Sequence, residues 1–300
     1  MHELAGKTAL ISGGAEGIGL ALAKAFGGLG MNIVVADIEA QAIDRAASQL
    51  SDAGVNFHTV LMDVAIREDW QRTVDTALST YGAIHMLVNN AGVGGGMGAV
   101  GNLDESGWRW AIDVNLMGVV YGVEAVIPVM KSQGEPGWLI NVASMAGMSG
   151  VPMAGSYTAT KAAVVALTEA WAVELASSDI HVSVLAPAFV KTRIHQSYRN
   201  RQARYAMTTK PGPDVMKLAA GSANAVENGI PVEQLAERVL EALAAKELYI
   251  FTHPHYRQVT DARSAAIAKA FEHAASSPVV GDVSEIPRMA GFTDNLVSPE

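Results

Sequence analysis

Residues 7–37 read KTALISGGAEGIGLALAKAFGGLGMNIVVAD, and this stretch decides the fold. Lys7 to Ser12 is a short apolar run that stops at glycines, as a strand buried in a parallel sheet does. Gly13, Gly14, Gly17 and Gly19 follow, and then an Ala/Leu-rich segment with helical character, Leu20 to Leu29. Strand, glycine turn, helix is the setting in which such glycines bind phosphate. N–H groups at the helix start and the helix dipole both face an anion there, and the missing side chains let it approach. The G-x-x-x-G-x-G spacing differs from the G-x-G-x-x-G of the commonest dinucleotide fingerprint. A glycine-rich turn without a ligand is the plain alternative, and the next feature argues against it. The strand Asn32 to Ala36 ends at Asp37, about 20 residues past the glycines. A carboxylate there accepts both ribose hydroxyls of an adenosine and repels a 2′-phosphate. Neither Glu16 nor Ile38 offers the cation that a 2′-phosphate needs, so NAD is expected in preference to NADP.

Working outward, Gln41 to Leu50 has a helical pattern, and Val55 to Leu61 is a third strand with Asp63 just past its end. His85 to Val88 is a fourth strand, running into Asn89-Asn90-Ala91-Gly92. Alternating strands and helices of this length imply an α/β fold with a parallel, doubly wound sheet. Ligands on such sheets bind outside the carboxyl ends of the strands, where Ser12, Asp37, Asp63 and Asn89 all fall.

Composition narrows the function. Of the 300 residues, 50% are hydrophobic and 17% charged, a globular balance rather than a disordered one. A formal charge of -9 argues against a nucleic-acid partner. The chain has no cysteine, which excludes disulfides, thiolate catalysis and Cys-based zinc sites. The N-terminus shows no charged region followed by an apolar one, and no apolar run reaches the roughly 18 residues of a membrane span. No membrane partner and a cytoplasmic location are therefore expected.

The second decisive stretch is Asn141 to Lys161, NVASMAGMSGVPMAGSYTATK. Tyr157 and Lys161 are four residues apart, so on a helix they share a face. An ammonium near a phenol favours the phenolate and lowers its pKa from about 10, letting it exchange a proton with an alcohol or carbonyl oxygen. Alone, such a pair is a common accident of helices. Ser144 ends the strand Trp138 to Ala143, and Asn115 lies inside a long helical pattern, Asp104 to Lys131. A polar amide among apolar helix neighbours needs a bonding partner, which backbone alone could supply.

With these pieces placed, the chain resembles the short-chain dehydrogenase/reductase family. The matching residues are S-G-G-A-E-G-I-G (12–19), Asp37, Asp63-Val64, N-N-A-G (89–92), Asn115, Ser144, Tyr157, Lys161 and P-A-F-V-K-T (187–192). The resemblance implies a Rossmann-type fold with a seven-stranded parallel sheet and helices on both faces. It implies a tetrad of Asn115, Ser144, Tyr157 and Lys161, with Asn115 bonded to a water on the lysine. Ser144 would bond the substrate oxygen, Tyr157 would be the general acid/base, and Lys161 would bond the nicotinamide ribose and lower the Tyr157 pKa. The cofactor would lie along Ser12, Gly13, Gly17, Ile18, Gly19, Asp37, Ile38 and Asn89, Asn90, Ala91 and Gly92. Asp63 and Val64 would flank the adenine; Tyr157, Lys161, Pro187, Val190 and Thr192 would meet the nicotinamide end. No metal is expected. A homodimer or homotetramer is implied, through long helices that here carry Trp108, Trp110 and Trp171.

Three departures stand out: Ser12 replaces the family's usual Thr, Ala188 its usual Gly, and the final strand runs Leu248 to Pro254 without a Gly-Gly turn. The chain is accordingly divided into a catalytic domain, 1–252, with a substrate lid at 191–230, and a C-terminal extension, 253–300, holding a helix over Tyr256 to Ala275. A cap over the substrate cleft and a subunit contact are the two roles open to it. His253 and His255 flank a proline with no carboxylate at ligand spacing. Gly94 to Asn102 with Met97, and Met145 to Met153 with Met148, either form adaptable apolar walls or simply fill core. Lys191, Arg193, His195, Arg199, Arg201, Arg204 and Lys210 make the lid basic, for anion capture or as a solvated face, before Pro211-Gly212-Pro213 breaks it. Ile230-Pro231 leads into an amphipathic helix, Val232 to Lys246. The expected function is hydride transfer between NAD(H) and a hydrophobic secondary alcohol/ketone, bulky or aryl. The rivals are a 3-oxoacyl-carrier or CoA-thioester reductase and a catalytically silent dinucleotide-binding sensor.

Overall fold

The computed structural model describes residues 4–101, 104–207 and 212–283, together with 286 and 291. Seven strands form one sheet: β1 Thr8–Ser12, β2 Asn32–Asp37, β3 Phe57–Leu61, β4 Met86–Asn89, β5 Gly137–Val142, β6 Ile180–Leu185 and β7 Tyr249–Ile250. Their order is β3-β2-β1-β4-β5-β6-β7, and every pairing is parallel. The order reverses between β1 and β4, the switch point at which an open α/β sheet forms its ligand crevice.

Burial on both faces explains the continuous apolar runs. In β1, Ala9 and Ile11 join one core layer with Phe26, Ala46 and Val239, while Leu10 joins the other with Trp70, Val74 and Val126. The first layer is covered by α1 (Gly17–Gly28), α2 (Ala40–Asp52) and α9 (Val232–Ala244). The second is covered by α3 (Arg67–Tyr81) and by the long helix of α4 (Glu105–Ala111), a π-helical turn (Ile112–Met117) and α5 (Gly118–Gln133). The fold is thus the doubly wound seven-stranded sheet that the sequence implied. α6 (Met145–Met148) and α7 (Gly155–Glu174) follow β5, and α8 (Pro213–Glu227) begins on the proline that closes the lid.

Two expectations need correction. The helix over Glu105–Gln133 has a mean hydropathy of 1.5, so by length and composition it does reach the measure of a membrane span. Its Trp110, Val114, Val126, Ile127 and Met130 sit in the second core layer, which accounts for the apolarity. Trp110, expected on a subunit surface, is 2% exposed within its own chain, and Trp171 is partly buried against the core.

The chain divides into two units, Met1–Thr252 and His253–Glu300. In the second, a short turn at Pro254–Tyr256 leads into α10 (Arg257–Ala275), a helix with no buried residue. Asn102, Lys210, Pro211 and the tail with Pro287 and Pro299 lie outside the described residues.

Candidate active site

The glycine turn is built to let backbones touch. Gly13 has φ +60°, and a Cβ on it would come 2.8 Å from the Ala91 Cα. The Ser12 hydroxyl accepts from the N–H groups of Asn90 (3.1 Å) and Ala91 (3.2 Å), and Asn90 Nδ2 donates to the carbonyls of Ser12 (3.0 Å) and Gly13 (2.8 Å). The ends of β1 and β4 are thereby stitched together at the crevice. α1 opens at Gly17 with no side-chain cap, which leaves its first N–H groups unpaired beside the cleft that Gly17 and Ile18 line. An uncapped helix start of this kind fits the diphosphate of a dinucleotide.

At the far end of the cleft, Asp37 accepts from the N–H groups of Ala15 and Glu39, both at 3.1 Å. Burial pushes its carboxyl above the usual range, against the lowering effect of those bonds, and nearby Glu16 adds to the rise. An ionised carboxylate has about four acceptor positions, so the backbone bonds from Ala15, Ile38 and Glu39 leave room for a ribose hydroxyl. Asp63 Oδ1 accepts from Ala65 N at 3.0 Å. Ile38, Asp63 and Val64 line the same cleft.

At the other end stand Ser144, Tyr157 and Lys161. Ser144 caps α6, accepting from Ala146 N at 3.1 Å, and its hydroxyl donates to the Pro187 carbonyl at 3.4 Å. Tyr157 and Lys161 project from α7, with the Lys161 Nζ 5.8 Å from the Tyr157 ring centre. Lys161 is 3% exposed and donates to the Val142 carbonyl at 2.7 Å. Burial lowers its pKa to about 8. Burial also raises the Tyr157 phenol above its ordinary value, with the Ser144 hydroxyl opposing. That reverses the lowering expected from spacing alone: desolvation of the buried phenol outweighs the help of its neighbours.

Asn115, fully buried in the π-helical turn, accepts from Val93 N (2.7 Å) and donates to Val93 O (2.9 Å) and Thr160 Oγ1 (3.3 Å). Its protein partners are therefore the loop after β4 and the helix carrying Tyr157. Gly13, Gly17, Ile18, Asn90, Ala91, Gly92, Pro187, Val190 and Thr192 also line the cleft, joined by Ala188. Ser12, Gly19, Asn89 and Asn115 stand behind its wall; Asn89 Nδ2 bonds Asn141 Oδ1 at 2.9 Å. Neither Met97 nor Met148 lines the cleft, and Met148 packs against Val119, Val164 and Val184 as core filling.

The sequence reading missed part of the cleft. Among the described residues, Trp110 Nε1 and Gln202 Oε1 are buried without a hydrogen-bond partner, and both residues line the cleft. Nor did the sequence show where the lid's arginines go. Arg193 and Arg199 bind Glu16, Arg199 also binds Glu39, Arg201 binds Asp104, and Arg204 binds Asp63. Partners up to 183 residues apart carry no local signal. His195 faces Glu227 at 3.6 Å. Among the described residues, no three His, Asp or Glu side chains gather as metal ligands.

A family model described as short chain dehydrogenase matches residues 7–203. The C alpha-dehydrogenase of Sphingobium sp. (strain NBRC 103272 / SYK-6) is 32% identical over 278 residues, covering 93% of this chain and 90% of that one. The 3-alpha-(or 20-beta)-hydroxysteroid dehydrogenase of Mycobacterium bovis is 40% identical over 190 residues, 63% of this chain and 71% of that one. Among solved structures, a short chain dehydrogenase/reductase from Burkholderia phymatum in complex with NAD superposes with a TM-score of 0.87 at 34% identity, covering 90% of this chain and 97% of that one.

Proposed function

The chain belongs to the short-chain dehydrogenase/reductase family, and from that premise we propose that it is an NAD-dependent dehydrogenase of hydrophobic secondary alcohols, with Tyr157 as its acid/base. At the coarser level, it is an oxidoreductase of alcohol and carbonyl groups that takes a nicotinamide dinucleotide. The observation that carries the finer reading is one continuous cleft with Asp37 at one end and Ser144, Tyr157 and Lys161 at the other.

When bound, the nicotinamide accepts the hydride in oxidation and supplies it in reduction. The N–H groups at the start of α1 would hold the diphosphate, Asp37 the adenosine ribose, and Val190 and Thr192 the carboxamide. In oxidation, the substrate hydroxyl gives its proton to the Tyr157 oxygen while its carbon loses hydride. Ser144, which lines the cleft beside Tyr157, steadies the charge that develops on the substrate oxygen. Lys161, buried one helical turn from Tyr157, would bond the nicotinamide ribose. Asn115 is a positioning residue, tying Val93 to Thr160 and so the β4 loop to α7.

Val93, Trp110, Val114, Ile194 and Val226 give the cleft an apolar side, which supports a hydrophobic substrate, as does the hydroxysteroid dehydrogenase relative. The carrier-linked 3-oxoacyl reductase has weaker support, because Arg193, Arg199, Arg201 and Arg204 of the basic segment are already paired with carboxylates. A homodimer or homotetramer belongs to the same proposal, built without Trp110. The test is turnover with NAD and with NADP across cyclic and aryl secondary alcohols. NAD-linked oxidation is expected; inactivity across the whole panel would favour a dinucleotide sensor.

A further inference from the structure

Glu16 stands in the glycine turn just before α1, and Glu39 just before α2, two residues past Asp37. Three arginines converge on these two carboxylates from separate parts of the chain. Arg45, on α2, lies 2.8 Å from Glu16 and 3.4 Å from Glu39. Arg193 lies 2.6 Å from Glu16. Arg199 grips both, Nη2 at 2.6 Å from Glu16 and Nε at 2.9 Å from Glu39, and Asn200 adds a bond to Glu39 at 3.1 Å. Glu16, Asp37, Arg193, Arg199 and Asn200 all line the mouth of the one cleft. Asp37, by contrast, is bonded by backbone N–H groups.

Arginine is the side chain best suited to a phosphate, through paired N–H···O bonds from a planar fork. Three guanidiniums beside the ribose-facing carboxylate would therefore amount to a 2′-phosphate site, were they not already paired. We propose that Glu16 and Glu39 determine cofactor specificity by occupying Arg45, Arg193 and Arg199, so that a 2′-phosphate is rejected twice. Asp37 repels it directly. The two glutamates hold back the cations that would compensate for that repulsion, and a phosphate can recruit them only by breaking charge-assisted bonds that are mostly shielded from water at the Arg199 side (side-chain exposure 24%, against 23% for Glu16 and 19% for Glu39). The inference rests on the reading of Asp37 as the ribose-binding carboxylate.

The test is calorimetric titration of the full chain with NAD+ and with NADP+, so that binding is read without turnover. Wild type, Glu16→Gln/Glu39→Gln, and that pair combined with Arg193→Gln/Arg199→Gln are compared. The glutamine pair is expected to tighten NADP+ by about tenfold or more while NAD+ moves by less than about threefold. Removing the two arginines should then take away most of that gain. An NADP+ affinity that does not respond to the glutamine pair overturns the proposal. So does a gain that survives in full without the arginines, since diffuse charge would then explain it. Should the pair fail to fold, Glu16→Gln alone gives the same readout through Arg193, which pairs with Glu16 and not with Glu39. Tighter wild-type binding of NADP+ than of NAD+ would refute the underlying cofactor reading; the change between variants judges the glutamates separately.

Discussion

Tyr157 and Lys161 share one helical turn, and burial moves both of them away from the charged form. For Lys161 this has a consequence for stability. The unfolded chain keeps the lysine protonated up to about pH 10.5, whereas the folded chain releases the proton near pH 8. Between these values the unfolded state binds more protons, so stability rises with pH. Relative to Lys161→Met, wild type should gain on the order of 3 kcal/mol from pH 8 to 10.5. Denaturant midpoints of both chains at several pH values check this, and parallel curves would contradict it. Ser144→Ala removes the donor for the substrate oxygen, so kcat should fall by about 10²–10³ with little change in cofactor affinity. A loss below about tenfold would leave Ser144 as no more than the cap of α6. The side chains of this corner were legible because their types and spacing are local facts. The direction of the Tyr157 shift was not, because burial is set by the whole fold around it. Arg199 escaped for a related reason: its partners Glu16 and Glu39 are 183 and 160 residues away.

At the scale of elements, close approach governs what can change. A Cβ on Gly122, in α5, would meet Asn89 Oδ1 at 2.4 Å and the Trp70 ring at 2.7 Å. Neither can retreat easily, since Trp70 is 1% exposed and Asn89 is bonded to Asn141. Gly122→Ala should therefore cost about 1–3 kcal/mol, read from the urea midpoint, although alanine is the better helix former. An unchanged or raised midpoint would show that α5 can shift away from the sheet. β1, β2, β4 and β5 announced themselves because both their faces are buried, which writes an unbroken apolar run, whereas β6 was not read, since His181 and Ser183 interrupt its apolar pattern. The long helix over Glu105–Gln133 was also legible, but the π-helical turn inside it was not. That turn is what carries Asn115, and its bonds to Val93 and Thr160 depend on elements far along the chain. The basic lid read as an anion trap or, preferably, as a solvated face, and what neither reading showed is that its short turns place Arg193, Arg199 and Arg204 against carboxylates at the ends of β1, β2 and β3.

At the scale of the whole molecule, the chain divides into two units. Both main core clusters are drawn from residues 4–250, so residues 1–252 hold their own core. A chain ending at Thr252 should keep its denaturant midpoint and its NAD affinity, both measured beside the full-length protein; a clear drop in either would mean that the sheet unit depends on the extension. The central claim concerns the cleft of that sheet unit: Tyr157 passes the proton while hydride moves to NAD. It is tested most directly by following NADH formation from a hydrophobic secondary alcohol with wild type and Tyr157→Phe, alongside NAD binding to each. The account predicts that the variant loses about 10²–10⁴ in turnover while binding NAD as wild type does. Near wild-type turnover in Tyr157→Phe would contradict it.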